Sequence, residues 1–276
     1  MVSFEYWFMF PVGMIIATIA MSTLVGGATF FSPFFILVLK LQPHIAIASA
    51  LMIQFFGFTT GLLRYIKKNT IDYNVGIFLL LITIPYAIIG SYLSTIIPPY
   101  FIRILLGIIV IFIGYKLLLK NIISITKKGQ KITDIKFGIK RTDKSIILKE
   151  KDLKKCIANT SIGSLFLGMT SAGLGELLGY NLIKKTNSNL RTIVSTTVFI
   201  IAITTLATSL THFYHLFTTN INDLYLAFDI LIFAVPGVIL GAFVGTKIIY
   251  KINQELLQKI ISIVLIITGL LCFIPF

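Results

Sequence analysis

Several stretches of this chain run for the roughly 18 to 20 apolar residues that a helix needs to cross a bilayer. Residues 74–97 contain no charged side chain, and residues 101–119 contain only Arg103 and Lys116. In hydrocarbon the backbone N–H and C=O groups of such a run have no water to bond, so the run pairs them internally as a helix. The runs are continuous rather than alternating, which argues against a transmembrane β-barrel. Composition closes off a soluble fold: 57% of the 276 residues are hydrophobic and 12% are charged, and a globular surface needs far more polar cover. The sequence therefore predicts an all-α membrane protein, a polytopic helical bundle.

Ten segments follow from the apolar pattern. Five lie at Phe8–Val25, Ala28–Leu39, Pro43–Ile66, Asn74–Ile97 and Phe101–Leu119. Five more lie at Cys156–Thr170, Leu174–Ile183, Ser188–Phe213, Leu224–Tyr250 and Glu255–Phe273. The second segment of each set is short, closer to a half-helix than a full span. Residues 1–119 thus form a first transmembrane repeat, 120–155 a basic linker, and 156–276 a second repeat. Within the linker, the residues from Lys127 to Lys140 could form a small hairpin. Glu5 precedes the first apolar run and no basic region does, so Phe8 onward is a retained helix rather than a cleaved signal.

Charge orients the bundle. Let the N-terminus lie outside and each segment cross once. The basic residues of 64–68, 116–155, 184–191 and 247–259 then all fall inside, 22 of the 24 Lys and Arg residues. Lys40 and Arg103 are left outside. This bias predicts a multi-pass protein of the cell membrane with both termini outside. Re-entrant pairing of the short segments gives the same bias, so charge alone does not separate the two. The net charge of +14 is assigned to this topology and to anionic headgroups, not to nucleic acid.

Five segments per half make the second half enter with opposite orientation, and the residues repeat independently. Asp72, Pro85, Gly90 and Thr95 match Asp223, Pro236, Gly241 and Thr246 at one interval of 151. Generic hydropathy does not supply matched Asp, Pro, Gly and Thr. The fold class expected is two inverted five-segment repeats with broken helices, the usual build of a secondary transporter.

The breaks hold the candidate chemistry. Val25–Pro33 and Ser171–Gly179 interrupt their apolar runs with glycines, and Gly26 and Gly173 stand 147 residues apart. Irregular backbone at membrane depth is tolerated where it lines a cavity or is buried in protein. The N–H groups at a half-helix start carry the positive end of a dipole. Two such starts, with Gly26, Gly27, Gly173 and Gly175, would converge on a small anion. Thr29, Ser32, Ser49, Ser171, Thr196 and Thr197 offer hydroxyls, and Gln54 is a pore or interhelix hydrogen-bonding residue. The competing account is that the glycines only permit close helix packing.

Glu176 is an acid within the second break. It is either a proton-coupling site or a cap for its own half-helix. Asp72 and Asp223 precede matched helices and are expected to be N-caps. His212 and His215 are expected at an outer helix end, as surface polar residues. Lys40, His44 and Arg103 also fall on the outer side. Cys156 and Cys272 lack any metal or redox spacing and are expected to be inert thiols. No Walker loop, HExxH or serine elbow occurs, so no catalytic residue, metal or cofactor is assigned.

The two breaks with their followers, VGGATFFSP then HIAIASAL, and SAGLGELLGYNLIKK then LRTIVSTTVF, resemble the TauE/SafE sulfite-exporter family. The resemblance covers nearly the whole chain outside 120–155. It departs at Gly26-Gly27-Ala28, where the family often has three glycines. It departs again at Ser49-Ala50, which stands for the Thr-Ser pair that Thr196-Thr197 represents in the second half. The lost hydroxyl at Ala50 bears on the ligand contacts of the first half. The resemblance implies transport, chiefly export, of sulfite, a sulfonate such as sulfoacetate, or a related small anion. The expectation is a secondary transporter embedded in lipid, with homo-oligomerisation left open. Its alternatives are a passive anion channel and a membrane enzyme or assembly factor acting on a lipid-borne substrate.

Overall fold

The structure, a computed structural model, describes residues 4–23, 25–119, 146, 150–185, 190–248 and 254–274. The hairpin expected between Lys127 and Lys140 lies outside the described residues. After a 3-10 turn at Phe4–Tyr6, the described elements are α-helices. In the first half they are α1 (Met9–Thr23), α2 (Ala28–Leu37), α3 (Pro43–Lys67), α4 (Tyr73–Ile96) and α5 (Pro99–Leu119). In the second half they are α6 (Glu150–Thr170), α7 (Leu174–Lys185), α8 (Leu190–Thr219), α9 (Ile221–Ile248) and α10 (Gln254–Leu271).

Local chemistry sets several ends. Pro43 opens α3 after an extended Gln42, where a missing N–H costs nothing. Asp72 is the N-cap of α4, and its Oδ1 accepts from the Asn74 and Val75 amides at 3.1 and 3.2 Å. Asp223 departs from the expectation. It lies in the first turn of α9, its carboxylate 3.3 Å from His44 Nε2, while Asn220 Oδ1 accepts from the Asn222 amide. Asn220 takes the capping role because the helix starts three residues earlier than the Asp match implies. Two helices also outrun their apolar stretches. α6 begins in the charged residues before Cys156, and α8 continues six residues past Phe213.

Length and composition suit five of the described helices to crossing a membrane: α3, α4, α5, α8 and α9. Of these, α3 and α8 form the interior, with 72% and 67% of their apolar windows buried, against 39–44% for the other three. The outer helices turn large apolar side chains such as Leu81, Phe101, Phe228 and Ile263 outward, toward the hydrocarbon of a multi-pass membrane protein. α2 and α7 have 10 and 12 residues, about 15 and 18 Å of helix. Each reaches about half of a roughly 30 Å hydrocarbon core, so neither crosses it alone.

The helices pair in exchanged sets. α1 lies along α9 and α4 along α6; α9 packs on α3 and α4 on α8; α2 packs on α3 and α7 on α8. α3 with α8, and α5 with α10, also pair across the halves. Swapping the halves turns each of these pairings into another of them or into itself, whereas α6 on α7 has no counterpart of the same extent in α1 and α2. Glycines make the closest approaches. A methyl at Gly90 would overlap the Leu165 carbonyl, and one at Gly241 would overlap the Met14 carbonyl. Gly90 to Gly241 and Met14 to Leu165 are both intervals of 151, so the two helix pairs meet at corresponding points.

Candidate functional site: the meeting of two helix breaks

In the first break Val25, Gly26 and Gly27 are buried, and α2 starts at Ala28 with no cap from its N-cap residue Gly27. A helix start buried this way must find acceptors elsewhere. Gln54, from the interior helix α3, supplies one: its Oε1 accepts from the Ala28 amide at 2.7 Å. Glu176, from α7, supplies the other. Its Oε1 accepts from the Gly26 amide at 3.1 Å and from the Thr29 hydroxyl at 3.0 Å.

The second break is built by backbone reversal. Ser171 has φ +65° and Gly173 φ +114°, a region that an L side chain rarely occupies. The chain thereby leaves α6 and starts α7 at Leu174. Glu176, three residues after Gly173, accepts from the Gly173 amide through Oε2 at 3.2 Å. That is the acidic half of a capping box. One carboxylate therefore bonds the starts of both half-helices, one oxygen serving each break. A second bridge runs beside it, where the Ser32 and Ser171 hydroxyls lie 2.5 Å apart, and both residues are buried.

Gly26 sits at the centre of this knot. A Cβ there would come within 3.0 Å of Gln54 Oε1, 3.3 Å of Thr29 Oγ1 and 3.6 Å of Glu176 Oε1. Gly27 faces ordinary packing, with the nearest atoms at 3.9 and 4.0 Å. Two small recesses flank the knot. One touches Gly27, Gln54 and Gly57; the other touches Gly175, Gly179 and Thr197; Phe58 lines both. Their volumes, about 10 and 20 Å³ respectively, hold about one water each.

Of the residues expected from sequence, Gly26, Thr29, Ser32, Gln54, Gly173 and Glu176 thus meet in one network, with Gly27 at its edge. Gly175 and Thr197 line the adjoining recess. Thr196 is committed to another contact, since its hydroxyl accepts from the Asp72 amide at 3.0 Å. Ser49 is fully buried, with no partner for its hydroxyl. Sequence reasoning missed Phe58, which carries no polar signal. It also placed His212 at the surface, whereas that ring is 2% exposed and lies 2.9 Å from the Gly168 carbonyl. Among the described residues no cluster of His, Cys, Asp and Glu could hold a metal ion.

The family model described as sulfite exporter TauE/SafE matches residues 9–272 of this chain. The chain belongs to the TauE/SafE family. A curated relative, the "Probable membrane transporter protein YunE" of Bacillus subtilis (strain 168), is 27% identical over 232 residues, covering 82% of this chain and 80% of its own. No solved structure matches. The TauE/SafE match takes in both breaks, so the converging half-helix starts lie within the region that places the chain in the family.

Proposed function

We propose that this TauE/SafE protein is a secondary transporter that moves a small anion across the cell membrane, with sulfite or an organosulfonate such as sulfoacetate as substrate and export as direction. The observation that carries this reading is the convergence of two half-helix N-termini on the two oxygens of one carboxylate. Both dipoles present their positive ends there, and the Thr29 hydroxyl adds a third donor. A sulfite or sulfonate presents a similar pair of oxygens on one central atom. The family description and the relative's name as a membrane transporter support the same reading.

Alternating access follows from the repeat in this proposal. Exchanged helix pairings and the shared interval of 151 support two related halves that rock about the breaks. The basic asymmetry supports both termini outside. α2 would then run from the midplane to the outer surface and α7 from the midplane to the inner one, their starts meeting near the midplane. Glu176 is the acid of this network and the candidate for proton coupling. The chain has no enzymatic role in this reading.

Flux into proteoliposomes tests it, with sulfite, sulfoacetate, thiosulfate, sulfate and acetate supplied in turn, with and without a proton gradient. Saturable flux of a sulfur anion is expected, and Glu176→Gln should abolish its dependence on the proton gradient. Flux that rises linearly without saturating would mark a passive channel. Silence for every anion, by current and by isotope, would leave the lipid-substrate alternative.

A further inference from the structure

The donors that an anion would need are already in use. Glu176 accepts from the Gly26 amide, the Thr29 hydroxyl and the Gly173 amide. We propose that the Glu176 carboxylate is the resident occupant of the anion site, and that substrate binds by displacing it. This inference rests on the anion reading above and names how that site is controlled.

Capping explains only half of the geometry. A capping box needs one oxygen on the amide three residues back, and Oε2 provides it. Oε1 instead reaches 147 and 150 residues along the chain, to Thr29 and Gly26. The carboxylate thus takes the position where both half-helix starts aim. Two anions cannot share these donors, because like charges at such range repel by several kcal/mol at an effective dielectric of about 20.

Space leads to the same conclusion. The flanking recesses hold about one water each, so a four-atom oxyanion does not fit beside Glu176 and must replace it. The side chain has a way out, since Glu176 is only half-buried among buried neighbours. A second polar group waits nearby. Thr197 is 8% exposed, lines the recess beside Gly175, and its hydroxyl has no partner. It can take a further oxygen of the incoming anion. The donor set also sorts ligands. It holds two oxygens on one atom, so carboxylates, sulfite and sulfonates fit it, whereas a halide meets one position only.

Removal of a resident competitor should tighten binding by the reciprocal of the fraction of time it left the site free. The test measures binding of formate, sulfite and chloride to the purified full chain by calorimetry, in wild type, Glu176→Ala and Glu176→Gln. Formate is the free counterpart of the missing carboxylate. The expected result is formate and sulfite binding at least about tenfold tighter in Glu176→Ala than in wild type, chloride binding gaining less, and formate restoring the melting temperature that the variant loses. Equal sulfite affinity in wild type and Glu176→Ala would overturn the inference, as would a destabilised variant that no anion rescues. If Glu176→Ala does not fold, Glu176→Gln carries the same comparison for sulfite. Formate rescue without flux of any sulfur anion in wild-type proteoliposomes would reject the transport reading and leave the displaced carboxylate standing. Saturable flux with unchanged affinities would do the reverse.

Discussion

The two breaks solve one problem with different chemistry. The first starts α2 without a cap of its own and takes acceptors from α3 and α7, through Gln54 and Glu176. The second carries its own acid and bends its backbone through two positive φ angles. α6 also lies along α7, a contact that α1 and α2 do not reproduce to the same extent. At the matched interval of 147, Thr29 stands where Glu176 stands, and the two side chains bond each other at 3.0 Å. Two paired breaks therefore share one unpaired charge. The scaffold supplies two sets of donors, and the asymmetry decides that a single carboxylate faces both.

Breaking that asymmetry should have the largest effect. Thr29→Glu would place a second carboxylate against the first, a repulsion on the order of 4 kcal/mol at 4 Å and an effective dielectric of 20. Folded yield and melting temperature should fall sharply. The exchanged pair Thr29→Glu with Glu176→Thr should recover much of both, because one charge again meets two sets of donors. If the double variant is no better than Thr29→Glu alone, the two positions are not equivalent.

Next come the devices peculiar to each break. Gly173→Ala forces a side chain to φ +114° and should cost about 1–3 kcal/mol, read by thermal or denaturant unfolding. Gln54→Leu keeps the packing but leaves the Ala28 amide unpaired, a cost of about 1–3 kcal/mol, with the damage confined to the first break in hydrogen exchange. Gly27→Ala should change stability by no more than about 0.5 kcal/mol, since a methyl there finds contacts at 3.9 Å. A large loss from Gly27→Ala would mean that the first break is tighter than its geometry shows. Thr197→Val should leave stability unchanged, because its hydroxyl has no partner, and should weaken sulfite binding severalfold in the same calorimetry.

Much of the fold was legible because its signals are local. Pro43 marks the start of α3, Asp72 marks α4, and unbroken apolar runs give their lengths, with α5 starting at Pro99, two residues before the expected Phe101. The misses follow from the same locality. The charged residues before Cys156 resemble a loop, yet α6 extends through them, and the polar Thr211 to Thr219 stretch resembles an interface, yet α8 continues. The site was legible as chemistry but not as geometry. Glycines and an acid within apolar runs announce a functional break, and Gln54 stands out in an apolar helix for the same reason. Sequence spacing cannot tell that Glu176 faces Gly26 from 150 residues away, nor that Thr196 serves Asp72. These contacts depend on how α7 and α8 pack against their neighbours. Phe58, shared by both recesses, leaves no trace in the pattern at all.

The most direct measurement is an experimental structure of the full chain with selenite, a heavier counterpart of sulfite that diffraction or electron scattering can locate. The account predicts selenite oxygens within about 3 Å of the Gly26 and Gly173 amides, with the Glu176 carboxylate turned away from both. Selenite bound elsewhere, with Glu176 still bridging the two half-helix starts, would contradict it.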